Sequence, residues 1–234
     1  MTAQPFTHLP EVGSTNDWLL ARTDTFPDGH WVIADRQTAG RGRRGRVWND
    51  GTGNFMGSVL VKAEGPVQQL SFVAALALHD ALAALSGQPS RLALKWPNDL
   101  LLDGRKCAGI LLERQGAALV IGIGVNLAHH PDIAERPATS LAAAGLPVPT
   151  PAALLDELAA AFSQWRGIWA ARGFAAVREA WLARAAGIGG RIVARLGNEA
   201  PEGVFSGIAD DGALLMRLDD GAVRVIHAGE VFAI

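Results

Sequence analysis

The run LALKWPNDLLLDGRKCAGILLE, residues 92–113, constrains the fold more than any other stretch of the sequence. It begins with two short apolar segments typical of β-strands, which Pro97 and Asn98 separate. Asp103 and Gly104 then form the Asp-Gly pair of a tight hairpin turn, whose two central residues both need positive φ. We therefore predict that the chain reverses at this pair and returns as a further strand.

Polar side chains interrupt this otherwise apolar hairpin. An isolated lysine at a strand end is usually solvated, and that interpretation would suffice for one such residue. Cations beside an apolar wall also suit a bound anion better than they suit a core. We favour an anion site because a denser basic cluster lies upstream. The polar residues of the hairpin are Lys95, Asn98, Asp99 and Lys106.

The upstream cluster is GRGRRGRVW, residues 40–48, which we call the arginine loop. Its guanidinium groups repel one another, and no acidic residue is interleaved to pair with them. Gly42 and Gly45 keep the backbone mobile and let its N–H groups approach a ligand closely. We expect the loop to be loose without a ligand and ordered once a phosphate binds. Its arginines are Arg41, Arg43, Arg44 and Arg46.

Charge and composition limit the kinds of partner. The formal net charge of −2 argues against a general nucleic-acid or membrane-surface binder, so the basic clusters are interpreted as local sites for a small anion. The longest apolar segment, 72–85, contains His79 and Asp80, and no membrane span is predicted. Residues 1–10 lack a secretion signal and the single cysteine, Cys107, excludes an internal disulfide, so we predict a cytoplasmic protein.

Two further polar groups are candidates for ligand binding. Ser14, Thr15 and Asn16 precede an amphipathic run, which predicts a helix N-cap and first turn. The same hydroxyl groups would also present hydrogen bonds to a ligand. Gln37 follows a predicted strand at 30–35, and its amide both donates and accepts, as recognition of a neutral amide or urea requires. A solvated loop glutamine explains that residue equally well.

The apolar run 117–125 predicts another strand, and it ends in closely spaced glycines. Gly122 and Gly124 late in a buried strand indicate close approach of another backbone or of a ligand. His129 and His130 follow in a loop without cysteine or acidic residues at ligand spacing. We therefore predict that these histidines are solvated.

The remaining patterns predict an α+β fold with two domains. Apolar residues at helical spacing predict helices at 68–85 and within the alanine-rich segment 151–187. From residue 191 onward, short strands alternate with turn signals such as Asp-Gly, which predicts a small antiparallel barrel. The predicted domains are 1–186, the catalytic body, and 187–234, the barrel.

Standard catalytic motifs do not account for the basic clusters. The arginine loop lacks the Gly-Lys-Ser/Thr ending of a Walker A motif, and no G-x-G-x-x-G opens a helix after a strand. No Ser-His-Asp order or metal-ligand cluster is evident. Bringing a carboxylate within about 4 Å of a phosphate costs on the order of 4 kcal/mol at an effective dielectric of about 20. Arginines, a lysine and Mg²⁺ would cancel much of that repulsion, which fits activation of an acid by a nucleotide.

These residues carry a family resemblance. The motifs are STN at 14–16, QTAGRGRRG at 37–45, KWPND at 95–99, RKCAGIL at 105–111 and GIGVN at 122–126. In this order they resemble the motifs of biotin protein ligases, which attach biotin to the carrier domain of acetyl-CoA carboxylase. The resemblance covers nearly the whole chain, and the ordered set is far more specific than any single motif.

The resemblance implies a class II synthetase-like mixed β-sheet flanked by helices, with a small SH3-like β-barrel at the C-terminus. It implies a reaction in which ATP and Mg²⁺ convert biotin to biotinyl-5′-AMP, after which a lysine of a biotin carboxyl carrier protein displaces AMP. Some relatives carry an N-terminal helix-turn-helix domain, but Ser14 lies too near Met1 for one, so we expect no repressor activity. Homodimers are common in this family, and a homodimer is expected.

The resemblance also assigns roles to individual residues. Ser14, Thr15 and Gln37 would satisfy the ureido ring of biotin, and Trp48 would close over adenine. The implied catalytic residues are Lys106, Arg43 and Arg41, with Asp99 as a contact for Mg²⁺. The implied biotin-binding residues are Ser14, Thr15, Asn16, Gln37, Gly40, Arg41, Gly42, Arg43, Lys106 and Gly109. The implied ATP-binding residues are Arg41, Arg43, Arg44, Arg46, Trp48, Lys95, Asn98, Asp99 and Asn126.

Two other functions compete with this interpretation. A lipoate or octanoate protein ligase shares this kind of catalytic body and would differ in the acid that it accepts. A nucleic-acid-binding module would use the arginine loop and the barrel, and it predicts basic residues spread along one face with exposed aromatic side chains. The barrel segment is instead rich in acidic residues, which disfavours nucleic acid. These acids are Asp210, Asp211, Asp219, Asp220 and Glu230.

Overall fold

The structure is a computed structural model that describes residues 6–48, 52–62, 65–132 and 137–234. The described chain forms a main domain with one large sheet and a C-terminal barrel with a second sheet. The main-domain elements are β1 (Phe6–Leu9), α1 (Thr15–Leu20), β2 (Trp31–Ala34), β3 (Phe55–Val61), α2 (Leu70–Ser86), β4 (Leu92–Lys95), β5 (Asp99–Leu102), β6 (Arg105–Gln115), β7 (Ala118–Val125) and α3 (Pro151–Leu182). The barrel strands are β8 (Arg191–Arg195), β9 (Glu202–Ile208), β10 (Leu214–Arg217), β11 (Val223–Ile226) and β12 (Glu230–Ala233).

The large sheet contains both parallel and antiparallel strand pairs, which confirms the mixed sheet that the family resemblance implies. Its seven strands run in the order β1-β2-β3-β7-β6-β5-β4, with β1 parallel to β2 and every other neighbouring pair antiparallel. The predicted turn is confirmed, because Asp103 has φ +50° and Gly104 has φ +75° between β5 and β6. The strand β1 was not predicted, because its residues alternate between exposed and half-buried and form no apolar run.

The helix α2 lies against the sheet and α3, and its burial explains its apolar composition. It ends at Gly87, which adopts φ +66° in the left-handed conformation that glycine favours at a helix C-terminus. The segment Val67–Ser86 is long and apolar enough to cross a membrane, with a mean hydropathy of 1.4. However, 67% of it is buried within the protein. Core packing therefore explains why this segment is so apolar. The prediction from the sequence was that it does not span a membrane.

The helix α3 is divided by Gly173, whose φ of +72° interrupts the helical backbone. Thr150 caps its N-terminus, since the hydroxyl group accepts a hydrogen bond from Ala153 N at 3.2 Å. Trp181 is 1% exposed and packs edge-on to Phe72 of α2, so it anchors α3 in the core. These contacts fix α3 across the back of the sheet.

The C-terminal barrel is a five-stranded antiparallel sheet in the order β11-β10-β9-β8-β12. Its first strand begins at Arg191, where the sequence predicts the short strands to begin. Glycines at the predicted Asp-Gly turns confirm the turn signals, because Gly212 has φ +88° and Gly221 has φ +85°. The exact boundary between the domains, placed near Gly187 from the sequence, stays a prediction.

Candidate active site

A cavity of about 300 Å³ lies where the arginine loop, the large sheet and the barrel meet. The start of α1 and Gln37 line one part, and strands β4 to β7 supply its floor. The barrel contributes the segment 229–232. Every site residue predicted from the sequence lines this cavity except Gly40, which is buried beside it and accepts a hydrogen bond from Trp48 N at 3.0 Å. Sequence motifs far apart in the chain therefore converge on one space.

The glycines of β7 form a floor on which two side chains lie directly. A Cβ atom at Gly122 would lie 2.4 Å from Oδ1 of Asn16. A Cβ atom at Gly124 would lie 2.4 Å from Cε2 of Trp48. Side chains cannot approach that closely, so both positions need glycine, as the sequence predicted for a strand approached by other groups.

The first polar group of the cavity is built around Gln37 and the start of α1. The side-chain oxygen of Gln37 accepts from both the backbone nitrogen and the hydroxyl group of Thr15, at 2.8 and 3.0 Å. Ser14 is the N-cap of α1, and its hydroxyl group accepts from Asp17 N at 3.4 Å. The predicted N-cap is confirmed, and Gln37 is a fixed part of the cavity wall.

Two residues that the sequence analysis missed hold Asn16 in place. Ser58 of β3 donates to Asn16 Oδ1 at 2.6 Å, and Asn16 Nδ2 donates to Glu113 of β6 at 2.7 Å. Ser58 is 0% exposed in a strand whose other residues are all buried, and a hydroxyl group in such a strand needs a polar partner. A single polar residue in an otherwise apolar strand was therefore the feature of the sequence that could have pointed to Ser58.

No acidic residue is interleaved within the arginine loop, and the acidic partners of its arginines come from other elements. Arg41 makes a two-pronged ion pair with Asp17 of α1 at 2.6 and 2.7 Å, and a further bond to Glu113 at 3.2 Å. The hydrogen bonds that Arg41 donates to Asp17 raise the pKa of Arg41, and the same bonds lower the pKa of Asp17. Arg46 pairs with Glu230 of β12 in the barrel. The loop is therefore held at both ends.

The other two arginines of the loop differ in exposure. Arg43 donates to Asn98 Oδ1 at 3.3 Å, and Asn98 in turn donates to the carbonyl of Ile110 at 2.6 Å. Burial lowers the pKa of Arg43, but a guanidinium group remains charged at any physiological pH. Arg44 is exposed and adopts a left-handed conformation with φ +59°. Arg43 is thus the more firmly placed cation.

The lysines of the hairpin face the same cavity from β4 and β6. Lys106 Nζ lies 2.5 Å from Asp99 Oδ1 and 5.9 Å from the ring centre of Trp48. Lys95 Nζ lies 5.0 Å from the ring centre of Phe232 in the barrel. Burial is the main cause that lowers the pKa of Lys95, opposed by the charge of Asp99. The cavity therefore concentrates cations beside aromatic rings.

Among the residues that the structure describes, two buried side-chain atoms have no hydrogen-bond partner, and both line this cavity. They are Nε1 of Trp48 and Oδ1 of Asn126. The amide nitrogen of Asn126 is engaged, since it donates to the carbonyl of Thr139 at 3.0 Å. Buried polar atoms without partners are rare and costly, so this donor and acceptor mark where a polar ligand would bind.

The described residues show no group of three or more histidine, cysteine or acidic side chains arranged to hold a metal ion. His129 and His130 are exposed, as predicted. Cys107 is fully buried, and burial raises the pKa of its thiol to about 12, so it packs as an apolar residue. The described lining of the cavity supplies arginine, lysine, amide and hydroxyl groups together with the carboxylates of Asp99 and Glu230.

Comparison with known proteins shows which family this chain belongs to. The family model for the biotin/lipoate A/B protein ligases matches residues 9–126, and the model for the biotin protein ligase C-terminal domain matches residues 187–233. This chain belongs to the biotin protein ligase family. The sequence-based identification is thereby confirmed, and the C-terminal match and the relatives named below favour biotin over lipoate or octanoate ligases.

Individual relatives support the assignment along the whole chain. A biotin–[acetyl-CoA-carboxylase] ligase of Paracoccus denitrificans is 46% identical, and the match covers 96% of this chain and 98% of the relative. A ligase of the same name from Mycobacterium tuberculosis is 38% identical over 95% of this chain and 86% of its own length. The structure of an Aquifex aeolicus biotin protein ligase in complex with biotin and ATP superposes with a TM-score of 0.87, at 25% identity, covering 99% of this chain and 100% of that one.

Proposed function

We propose that this protein joins biotin to ATP in the cavity and then transfers biotin to a lysine of a biotin carboxyl carrier domain. In the first step an oxygen of the biotin carboxylate attacks the α-phosphorus of ATP, the bond to the bridging oxygen breaks, and pyrophosphate leaves. In the second step the lysine ε-amine attacks the carbonyl carbon of biotinyl-5′-AMP, and AMP leaves. The observation that carries the proposal is the convergence of an amide-recognising group and a cation cluster in one cavity of about 300 Å³.

The ureido ring of biotin would lie against Ser14, Thr15 and Gln37. A ureido group offers two N–H donors and one carbonyl acceptor, and these residues supply matching hydroxyl and amide groups. Asn16 would support this group from behind, because Ser58 and Glu113 already hold its side chain. The apolar thioether ring of biotin would lie beside Asn16 and Trp48, the two side chains that cover the β7 glycines.

The carboxylate of biotin and the α-phosphate would meet between Arg43 and Lys106. Both side chains are anchored, Arg43 by Asn98 and Lys106 by Asp99, so positive charge is in place before the two anions arrive. Preorganised charge of this kind stabilises charge that develops in the transition state. Arg41 would orient the loop through Asp17 while its backbone and that of Gly42 enclose the valerate chain.

The nucleotide would occupy the side of the cavity lined by Trp48, Lys95 and Asn126. The unpartnered donor of Trp48 and acceptor of Asn126 fit the polar edges of adenosine, whose exocyclic amine donates and whose ring nitrogens accept. Arg46 would help hold pyrophosphate after exchanging its contact with Glu230. Arg44 would reach the phosphates from its exposed position.

Mg²⁺ fits this donor set in a limited way. Among the described cavity residues, the carboxylates are Asp99 and Glu230, paired with Lys106 and Arg46 respectively. Mg²⁺ is commonly held by one or two carboxylates together with substrate phosphates. We therefore propose Asp99 as its protein contact, with most ligands coming from ATP and water. The ion would neutralise phosphate charge.

The further features of the proposed function concern partners and location. We propose a biotin carboxyl carrier domain as the second substrate, because the named ligases from Paracoccus and Mycobacterium act on acetyl-CoA carboxylase. A homodimer that works in the cytoplasm is the assembly that we expect. Light scattering coupled to size exclusion tests the dimer, and a mass matching one chain of 24.6 kDa would contradict it.

Mass spectrometry tests the proposed reaction directly. After incubation with ATP, Mg²⁺ and biotin, we expect the native protein to carry the mass of biotinyl-5′-AMP. Parallel incubations replace biotin with lipoate or octanoate. Adduct formation with lipoate alone would assign the chain to the other branch of the family. Absence of any adenylate, with ATP and biotin present, would refute the activity.

The glycine floor gives a specific prediction for biotin binding. Gly122→Ala places a methyl group 2.4 Å from Asn16 Oδ1, and Asn16 cannot move freely because Ser58 and Glu113 hold it. Because Asn16 must shift at the proposed ureido side, calorimetry should show biotin affinity reduced by about tenfold, which is about 1.4 kcal/mol. Gly167→Ala is the control, since a Cβ atom there meets nothing within 4 Å. Equal biotin affinity for the two variants would contradict the placement of biotin.

A further inference from the structure

The hairpin between β9 and β10 docks the barrel onto the main domain. Three backbone carbonyl groups of this hairpin accept hydrogen bonds from side chains of the main domain, at 3.4, 2.9 and 3.0 Å. Side-chain donors aimed at backbone oxygens fix a segment independently of its own side chains. The donor and acceptor pairs are Arg178 with Ile208, Gln69 with Asp210, and Trp96 with Gly212.

The tip of this hairpin is pressed closely onto α2. A Cβ atom at Gly212 would lie 2.9 Å from the ring of Phe72. Gln69 is itself held, because Trp169 Nε1 donates to its side-chain oxygen at 2.8 Å. The hairpin therefore rests in a preformed socket, and its position depends on the groups that line that socket.

Trp96 differs from the other socket donors because it also lines the cavity. It is 3% exposed and directly follows Lys95, whose amine faces Phe232 of the barrel at 5.0 Å. The same KWPND motif supplies Asn98, which holds Arg43, and Asp99, which holds Lys106. One short segment thus carries both the barrel contact and the anchors of the cavity cations.

The barrel also contributes directly to the cavity through β12. Glu230 pairs with Arg46 of the arginine loop, and Phe232 lies beside Lys95 and beside Arg195, whose guanidinium carbon is 4.6 Å from the ring centre. A shift of the barrel would therefore move an aromatic ring and a carboxylate at the nucleotide side. The proposed ureido side of the cavity consists of the start of α1 and Gln37. The hydrogen bonds described above for Gln37 and for the N-cap of α1 join residues of this group to one another and not to the barrel.

We propose that Trp96 is a positioning residue whose indole N–H seats the barrel through Gly212, so that β12 completes the nucleotide side of the cavity. Trp96 does this without donating a hydrogen bond to the substrate, because its one donor is engaged by the barrel. The inference rests on the proposed function, since it assigns Trp96 to the ATP side of that reaction. It explains why the motif carries an indole between Lys95 and Asn98.

The kinetic test compares two tryptophans that donate hydrogen bonds. Trp96→Phe keeps an aromatic ring and removes the bond to Gly212, whereas Trp165→Phe removes a bond of 2.8 Å to Asp80 outside the cavity. For Trp96→Phe we expect the KM for ATP to rise about five- to tenfold, with biotin affinity in calorimetry unchanged. For Trp165→Phe we expect both quantities to match the native protein.

A second readout follows the amine of Lys95 by NMR of labelled lysine side chains. The native protein should show a Lys95 pKa below the ordinary value, because burial disfavours the charged amine. The charged groups that act on it are Asp99, which raises its pKa, and Lys106, which lowers it, while Arg195 shares the Phe232 ring. In Trp96→Phe the barrel would shift and carry Phe232 away from Lys95, so that water reaches the amine. The pKa of Lys95 should therefore rise.

These measurements distinguish the inference from the function on which it rests. An unchanged ATP KM and an unchanged Lys95 pKa in Trp96→Phe would overturn the inference, even if the native enzyme is fully active. A native protein that forms no biotinyl-5′-AMP would refute the function, while the Lys95 measurement would still test the seating of the barrel. Should Trp96→Phe fail to fold, Arg178→Met loosens the same hairpin from outside the cavity and carries the same expectations.

Discussion

Replacing Lys106 with alanine is expected to slow formation of biotinyl-5′-AMP by about 10²–10³-fold, as loss of one preorganised charge from an active site typically does. Lys106 is the amine that the cavity places beside Asp99 and near Trp48, at the junction of the proposed biotin and nucleotide sides. Single-turnover release of pyrophosphate at saturating ATP and biotin measures this step. A rate equal to that of the native protein would remove Lys106 from the mechanism.

The alanine variant also leaves Asp99 without its partner, and a second variant separates the two effects. In Lys106→Ala with Asp99→Asn, the unpaired carboxylate is gone but the cation is still absent. We expect this double variant to remain slow, because it lacks the Lys106 charge and also the carboxylate that we propose as the Mg²⁺ contact. Recovery of the rate would show instead that Asp99 repels the phosphates. Lys62→Ala, at an exposed position outside the cavity, is the matched control.

Replacing Arg43 with alanine is the second change with a large expected effect, about 10²-fold in kcat/KM for ATP. Arg43 is the arginine of the loop that Asn98 holds in the cavity, and its planar fork suits a phosphate. Arg43→Lys keeps the charge but loses the two-pronged geometry, so it should recover only part of the activity. Pyrophosphate release at varied ATP concentration distinguishes these variants.

The control for this series is Arg36→Ala, which removes an exposed arginine just before the loop. Arg36 pairs with Glu11 at 2.9 Å, and its side chain is 65% exposed. Exposed pairs of this kind contribute little, so we expect native kinetics. Equal losses for Arg36→Ala and Arg43→Ala would mean that general positive charge, and not the placement of Arg43, attracts ATP.

Local sequence signals predicted most of the framework. The Asp103-Gly104 turn and the Gly87 helix end were predictable because left-handed backbone conformations favour few residue types. The barrel strands were predictable because short alternating runs lie between Asp-Gly turns. The strand β1 was not, since its four residues have no apolar pattern and it is held by pairing with β2.

The partners of the cavity side chains were much harder to predict. Arg41 and Glu113 are 72 residues apart, and Asn16 and Glu113 are 97 apart, so no local pattern relates them. The acidic partners of the arginine loop were unpredictable for this reason, because they come from α1, β6 and β12. The cluster of cations was visible in the sequence, whereas the means of holding each cation depended on the fold.

The contact between Arg46 and Glu230 has a consequence for how this enzyme matures during synthesis. Glu230, Val231 and Phe232 come later in the chain than every other residue that lines the cavity. They reach it once β12 has paired with β8. A nascent polypeptide that has already folded its large sheet therefore still has an incomplete pocket, and catalytic competence should arise only after ribosomes have translated these codons and released the segment.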